Sequence, residues 1–174
     1  VGDPVAFVVA ETAIQAQDAA DLILIEYEPL AAVAHLEEAV LPDAPLVWSD
    51  CPGNISFVEQ KGDADAVASA FAQATHVVRK KLVNNRVTAV AMEPRGCIGD
   101  YDPRHERYTI YTGLQNPHPL RYQIARQVFG ISETSVRVIS GDVGGSFGMR
   151  GGTYNELLLV LWASRLIQRP VKWR

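Results

Sequence analysis

Two residues stand out by type and place, Gln115 and Phe147. Gln115 lies in a break, Gly113-Leu114-Gln115-Asn116-Pro117, between an alternating stretch and an apolar-faced one. Phe147 lies in Gly141-Asp142-Val143-Gly144-Gly145-Ser146-Phe147-Gly148-Met149-Arg150, which opens with four glycines in eight residues. A neutral glutamine offers two donors and an acceptor. A glycine-rich loop tolerates positive φ and offers backbone N–H groups without side-chain bulk. Buried, such a loop wraps a phosphate, a cofactor or a neighbouring chain. Together the two suit an anionic or oxo-bearing ligand held by hydrogen bonds. Each also has a plain reading: a solvated glutamine at a helix start, and a packed glycine turn.

The elements that must position these residues follow from the pattern. Arg107–Thr112 alternates as a strand and leads to Gln115. Asn116 suits an N-cap and Pro117 a first helical position, so a helix is predicted over 117–129. Leu120, Ile124, Val128 and Phe129 should share its buried face, and Gly130 should stop it. Val136–Ile139 is a short valine-rich strand that runs into the glycine loop. Thr153 and Glu156 have capping-box spacing for a helix ending near Gln168, and residues 170–174 start another strand. Gln115 and Phe147 thus each follow a strand, which places both at one edge of a sheet.

Upstream, residues 4–10 read as a buried strand, 11–22 as a helix and 23–28 as a half-buried strand, with a short helix within 31–39. Residues 41–62 hold three prolines and two glycines and read as a linker. Asn54 there is either turn chemistry or a ligand contact. Residues 63–74 form an alanine-rich helix with an acidic start, and 75–90 a long strand bending near Asn84-Asn85. Residues 102–106 are a polar turn. The expected class is α+β.

Composition narrows the function. The 174 residues are 48% apolar, enough for a core, and carry a net charge of −4 without a basic run, which argues against a general nucleic-acid surface. The apolar run 157–163 is far short of the roughly 20 residues that span a bilayer. Cys51 and Cys97 match no zinc or iron–sulfur spacing, and the four histidines are scattered, so a protein-ligated metal is not expected. A reducing, cytoplasmic setting is the default. Neither end reads as a natural terminus, so a piece of a longer protein is expected.

Several stretches give a more specific signal: VGDPVAFVVAET, IEYEPLAAV, NNRVTAVAMEPRGCIGDYD, the LQNP turn, VRVISGDVGGSFG and the closing RPVKW. In this order and spacing they resemble the molybdenum-cofactor-binding large subunit of the xanthine oxidase family, which includes aldehyde oxidases and aerobic carbon monoxide dehydrogenase. Dinucleotide and P-loop patterns are absent, which disfavours an unrelated nucleotide-binding module. The resemblance implies that residues 1–40 are the C-terminal part of an α/β hammerhead domain, 41–62 a linker, and 63–174 the N-terminal part of the molybdopterin-binding domain. It implies that Gln115 hydrogen-bonds an oxo ligand of molybdenum. It implies also that Phe147, with Gly144, Gly145 and Gly148, packs beside the metal and presents backbone N–H groups to the cofactor, no protein atom ligating the metal.

The implied activity is hydroxylation of an aldehyde or N-heterocycle, or oxidation of CO, with oxygen from water. The pterin could carry a cytosine dinucleotide. Electrons would leave through iron–sulfur and FAD groups on partner subunits or domains, and the full assembly would be a homodimer. No catalytic residue is assigned within the chain, because the family's base glutamate lies downstream of it. Gly151 stands where purine-oxidising members carry a substrate-binding glutamate, which argues against purine specificity. Cys97 reads as a small buried hydrophobe and Glu156 as the capping residue. Glu93 and Arg95 are either a salt bridge or substrate groups. The reading from another class is a non-catalytic interaction domain that keeps the fold without the cofactor.

Overall fold

The computed structural model describes residues 2–174. Along the chain come α1 (Ala13–Asp21), α2 (Leu36–Ala39), a 3₁₀ turn (Pro52–Asn54), α3 (Ala64–Gln73), β1 (Cys97–Asp102) and β2 (Arg107–Thr112). Then follow α4 (Pro117–Tyr122), its π-helical continuation (Gln123–Phe129), a 3₁₀ turn (Glu133–Ser135), β3 (Val136–Ile139), α5 (Asn155–Ile167) and β4 (Val171–Trp173). They divide into two units, residues 2–24 with Asn85–Arg174, and Ile25–Asn84.

The first unit is built on a mixed four-stranded sheet in the order β3-β2-β1-β4. β1 and β2 form an antiparallel hairpin, paired from Cys97↔Thr112 to Asp102↔Arg107. β4 pairs antiparallel with β1, and β3 pairs parallel with β2. A parallel neighbour requires a crossover, and α4 with its continuation supplies it. α5 packs on β1 and β4, and α4 on β3. Ile110, Ile124, Val160 and Leu161 are fully buried between these layers. Each such side chain contributes about 1.5–3 kcal/mol by leaving water. A Cβ at Gly99 would stand 2.7 Å from the backbone carbon of Val160. The bare backbone at 99 is therefore what lets α5 sit so close to the sheet.

The helix over 117–129 forms, but not with straight α geometry. It widens into π turns from Gln123, so the inward positions become Leu120, Ile124, Ala125 and Phe129. Val128 is turned out and is 46% exposed, contrary to the α-periodic expectation. Gly130 ends the helix at φ 64°, and the N–H of Ile131 donates to the Ala125 carbonyl at 2.8 Å. α1 starts at a capping box: Gln15 N–H donates to the Thr12 hydroxyl at 3.2 Å, and Thr12 N–H donates back to Gln15 Oε1 at 3.1 Å.

The second unit holds α2, the 3₁₀ turn and α3, the last capped by Asp63, whose carboxylate accepts from Ala66 N–H at 2.9 Å. Asn54 proves to be turn chemistry. Its amide accepts from Val47 N–H and donates to the Ala39 and Pro45 carbonyls, with its own φ at 56°. No residue of this unit is buried.

Three expected strands are not formed among the described residues: 4–10, 23–28 and 75–90 all run without ladder pairing. Apolar alternation makes a strand only where a neighbour accepts and donates along its edge. Phe7 still packs against the core of the first unit.

Candidate functional site

β2 and β3 are adjacent and parallel, so the turn carrying Gln115 and the glycine loop leave the same edge of the sheet. The two segments meet. Gln115 N–H donates to the Arg150 carbonyl at 3.1 Å, and Leu114 N–H donates to the Ser140 hydroxyl at 3.3 Å. A Cβ at Gly151 would stand 3.4 Å from Gln115 Oε1, so the glutamine side chain lies beside the loop's closing end. Among the described residues the Gln115 amide makes no hydrogen bond, and the residue is exposed.

The loop is held from below by two residues whose joint role sequence reasoning missed, Glu93 and Arg150. The Glu93 carboxylate accepts from Gly144 N–H at 2.7 Å and lies 3.0 Å from Arg150 Nη1. Glu93 N–H donates to the Gly144 carbonyl at 3.2 Å. Arg150, with its side chain 3% exposed, also donates to the carbonyls of Gly113 at 3.4 Å, Pro94 at 3.3 Å and Glu93. A Cβ at Gly144 would stand 2.5 Å from Glu93 Cβ, and one at Gly113 2.5 Å from Arg150 Nη1. Those two glycines therefore make room for the clamp. The available signal was an arginine closing a glycine loop, and a distant glutamate beside Pro94 to answer it.

This changes two pairings. Glu93 belongs with Arg150, and Arg95 belongs with Glu156, whose Oε1 lies 3.1 Å from Arg95 Nη2. Glu156 is not a capping residue. Tyr154 stands at the N-cap without a side-chain bond, and the Thr153 hydroxyl donates instead to Gln123 Oε1. Arg95 also stacks 3.7 Å from the centre of the Tyr154 ring.

The upper part of the loop differs from its base. Gly145, Phe147 and Gly148 have φ of 106°, 51° and 89°. Phe147 is the one without glycine's freedom, and a residue held there costs on the order of 1–3 kcal/mol. Among the described residues the N–H groups of Gly145, Ser146, Phe147 and Gly148 make no hydrogen bond, whereas Arg150 N–H donates to the Ser146 hydroxyl at 3.1 Å. The loop is not the buried one expected. Phe147 is 80% exposed because no described element packs over it. A cavity of about 520 Å³ opens beside the loop's first residues, Gly141 and Asp142, and runs to Tyr111, Lys172 and Trp173; neither Gln115 nor Phe147 lines it.

Cys97 is buried at the start of β1. Burial, with the Glu156 carboxylate adding to it, pushes its thiol up to about 12. Among the described residues no three His, Cys, Asp or Glu side chains gather as a metal-ligand set.

Residues 47–174 match the family model described as "Molybdopterin cofactor-binding domain". The chain belongs to that family. The domain match starts within the segment expected as a linker. The chain is 38% identical over 173 residues to "6-hydroxypseudooxynicotine dehydrogenase complex subunit gamma" of Paenarthrobacter nicotinovorans, covering 99% of this chain and 21% of that protein. It is 33% identical over 181 residues to the "Carbon monoxide dehydrogenase large chain" of Hydrogenophaga pseudoflava, covering 97% of this chain and 22% of that one. In three dimensions it is similar to a crystal structure of Cu,Mo-CO dehydrogenase, with a TM-score of 0.83 and 28% identity over 92% of this chain and 22% of that one. The chain thus spans about a fifth of the length of the relatives it matches. Among the described residues no helix is long and apolar enough to cross a membrane.

Proposed function

We propose that this chain forms part of the large subunit of a molybdenum hydroxylase, in which Gln115 and the loop Gly144–Gly148 hold the molybdopterin cofactor. One observation carries the reading. In a chain of the molybdopterin-binding family, four unbonded backbone N–H groups, at residues 145–148, stand at the sheet edge that also presents the free amide of Gln115. Donors without a protein partner fit a group rich in oxo and phosphate acceptors. When bound, that group supplies two-electron redox chemistry with oxygen drawn from water.

The chain's own residues have separable tasks. Gln115 donates through its amide to an oxygen of the cofactor and fixes its orientation. Gly145 and Gly148 present N–H groups without side chains, and Phe147 covers the cofactor's flank. Gly144 acts from beneath, because its N–H is committed to Glu93. No base for substrate lies among these residues. On this reading residues 1–40 are the end of a hammerhead domain, 41–62 a linker and 63–174 the first part of the cofactor domain. The substrate is an aldehyde, an N-heterocycle or CO. The cofactor is the pterin or its cytosine dinucleotide form. Iron–sulfur and flavin groups on partner subunits or domains take the electrons, within a homodimeric cytoplasmic assembly. The words "complex subunit" and "large chain" in the names of the relatives support the partner subunits.

The test is made on the full-length protein that carries this chain. Molybdenum and pterin content are measured in it and in Gln115→Ala and Phe147→Ala variants, with turnover of aldehydes, N-heterocycles and CO. Retained metal with turnover reduced about 10–100-fold in each variant is expected. An intact parent free of molybdenum would overturn the reading and leave an interaction domain.

A further inference from the structure

Arg150 touches the Gln115 turn twice, by different groups. Its side chain donates through Nη1 to the Gly113 carbonyl at 3.4 Å, and its own carbonyl accepts from Gln115 N–H at 3.1 Å. The same guanidinium reaches the glycine loop through Glu93, whose carboxylate lies 3.0 Å from Nη1 and accepts from Gly144 N–H at 2.7 Å. Its Nη2 donates to the carbonyls of Glu93 and Pro94. We infer that Arg150 is a positioning residue that sets the distance between the Gln115 amide and the N–H groups of residues 145–148. This rests on the reading of those groups as the ones that hold the molybdopterin cofactor.

Two observations carry this. A guanidinium is a planar fork of donors in fixed directions, so the acceptors gathered on it keep fixed places relative to one another. Here they belong to the 93–94 segment and to Gly113, and the carboxylate passes the hold on to Gly144. The side chain that does this is 3% exposed. Gly113 supplies the second observation. Its φ is not positive, so its backbone conformation does not call for glycine. Its space does, because a Cβ would stand 2.5 Å from Arg150 Nη1. The turn is thus shaped to admit the guanidinium. Gln115 is itself exposed, and the backbone on either side of it is what Arg150 fixes. A displacement of about 1 Å in a group that orients a reacting centre can cost about 100-fold in rate.

The experiment compares Arg150→Met, Gln115→Ala and the double variant in the full-length protein. Molybdenum content, kcat per bound molybdenum, KM and hydrogen exchange at the Gln115 amide are measured in each. In Arg150→Met the Gln115 amide should exchange at least about 10-fold faster, since its turn has lost one of its two holds. Turnover per bound molybdenum should fall at least about 10-fold, with KM little changed. The double variant should match Gln115→Ala within about 2-fold, because spacing no longer matters once the amide is gone. A purely structural role would lower molybdenum content and leave turnover per bound molybdenum unchanged; that result, or losses that add in the double variant, overturns the proposal. If Arg150→Met does not fold, Gly113→Ala crowds Nη1 alone and is judged by the same measurements. A parent free of molybdenum overturns the underlying reading, and is recognised from metal content before any variant is compared.

Discussion

Gly144 stands over the Glu93 side chain with no space between, and its N–H is spent on the carboxylate below. Its contribution is therefore distinct from that of Gly148, around which nothing lies within 4 Å of an added Cβ. Gly144→Ala forces Glu93 aside and breaks its contact with Arg150, so the loop loses its base. In the full-length protein we expect molybdenum content to fall severalfold, measured by elemental analysis. Arg150, buried and deprived of its carboxylate, destabilises the fold as well, though the carbonyls of Gly113 and Pro94 still accept from it. Metal loading unchanged by this substitution would contradict the clamp. Cys97 makes a second residue-level prediction. Its thiol keeps its proton up to about 12 in the folded chain, against an unfolded value of 9.0. Between those two values the unfolded state binds fewer protons, so stability falls as pH rises, by about 1.4 kcal/mol per pH unit from this group. Cys97→Ala should remove that component from alkaline unfolding. In site-resolved alkylation at pH 8, Cys97 should react only on unfolding, whereas the half-buried Cys51 reacts in the native protein.

At the scale of elements, the π-helical stretch after α4 determines which side chains reach the core. Ile124→Ala opens a cavity and should cost about 2–5 kcal/mol, read as lost amide protection across β2 and β3. Val128→Ala, on the outward side, should stay within about 0.5 kcal/mol. A strict α-helix would make the two losses comparable. The same segment shows what a sequence can and cannot convey. Arg107–Thr112 and Val136–Ile139 were legible to the residue, because alternation and β-branching are local signals. So was the meeting of the 115 turn with the glycine loop, which follows from two strands ending at one edge. The π widening was not, since the spacing Ile124, Ala125, Phe129 gains meaning only against the packed layer beneath. Nor was the pairing of Glu93 with Arg150, which spans 57 positions, while Arg95 offered a nearer partner. Thr153 and Glu156 had capping spacing, but Gln123 and Arg95 compete for them across the fold.

The whole molecule divides by how each unit satisfies itself. The unit of residues 2–24 and 85–174 owns the buried core, with Ile110, Ile124, Val160 and Leu161 closed off from water. The unit of residues 25–84 buries nothing, and leaves Tyr27, Leu30, Trp48, Phe57 and Leu82 at 70% exposure or more. Its helices α2 and α3 are 4 and 10 residues long, too short to persist on their own propensity. Apolar surface on that scale marks a place where further protein packs, and unpaired segments such as 75–84 are open to edge pairing. Hydrogen exchange separates the two behaviours. In the 174-residue chain alone, amides of 25–84 should exchange within seconds, while those of β1, β2 and α5 are protected by several orders of magnitude; the chain should also aggregate as concentration rises. In the full-length protein, 25–84 should gain protection of at least about 100-fold, a coupling of about 2.7 kcal/mol supplied by the added contacts. Equal protection of both units in the isolated chain, with a cooperative high-temperature melt as a monomer, would show instead that residues 25–84 need no further polypeptide to fold.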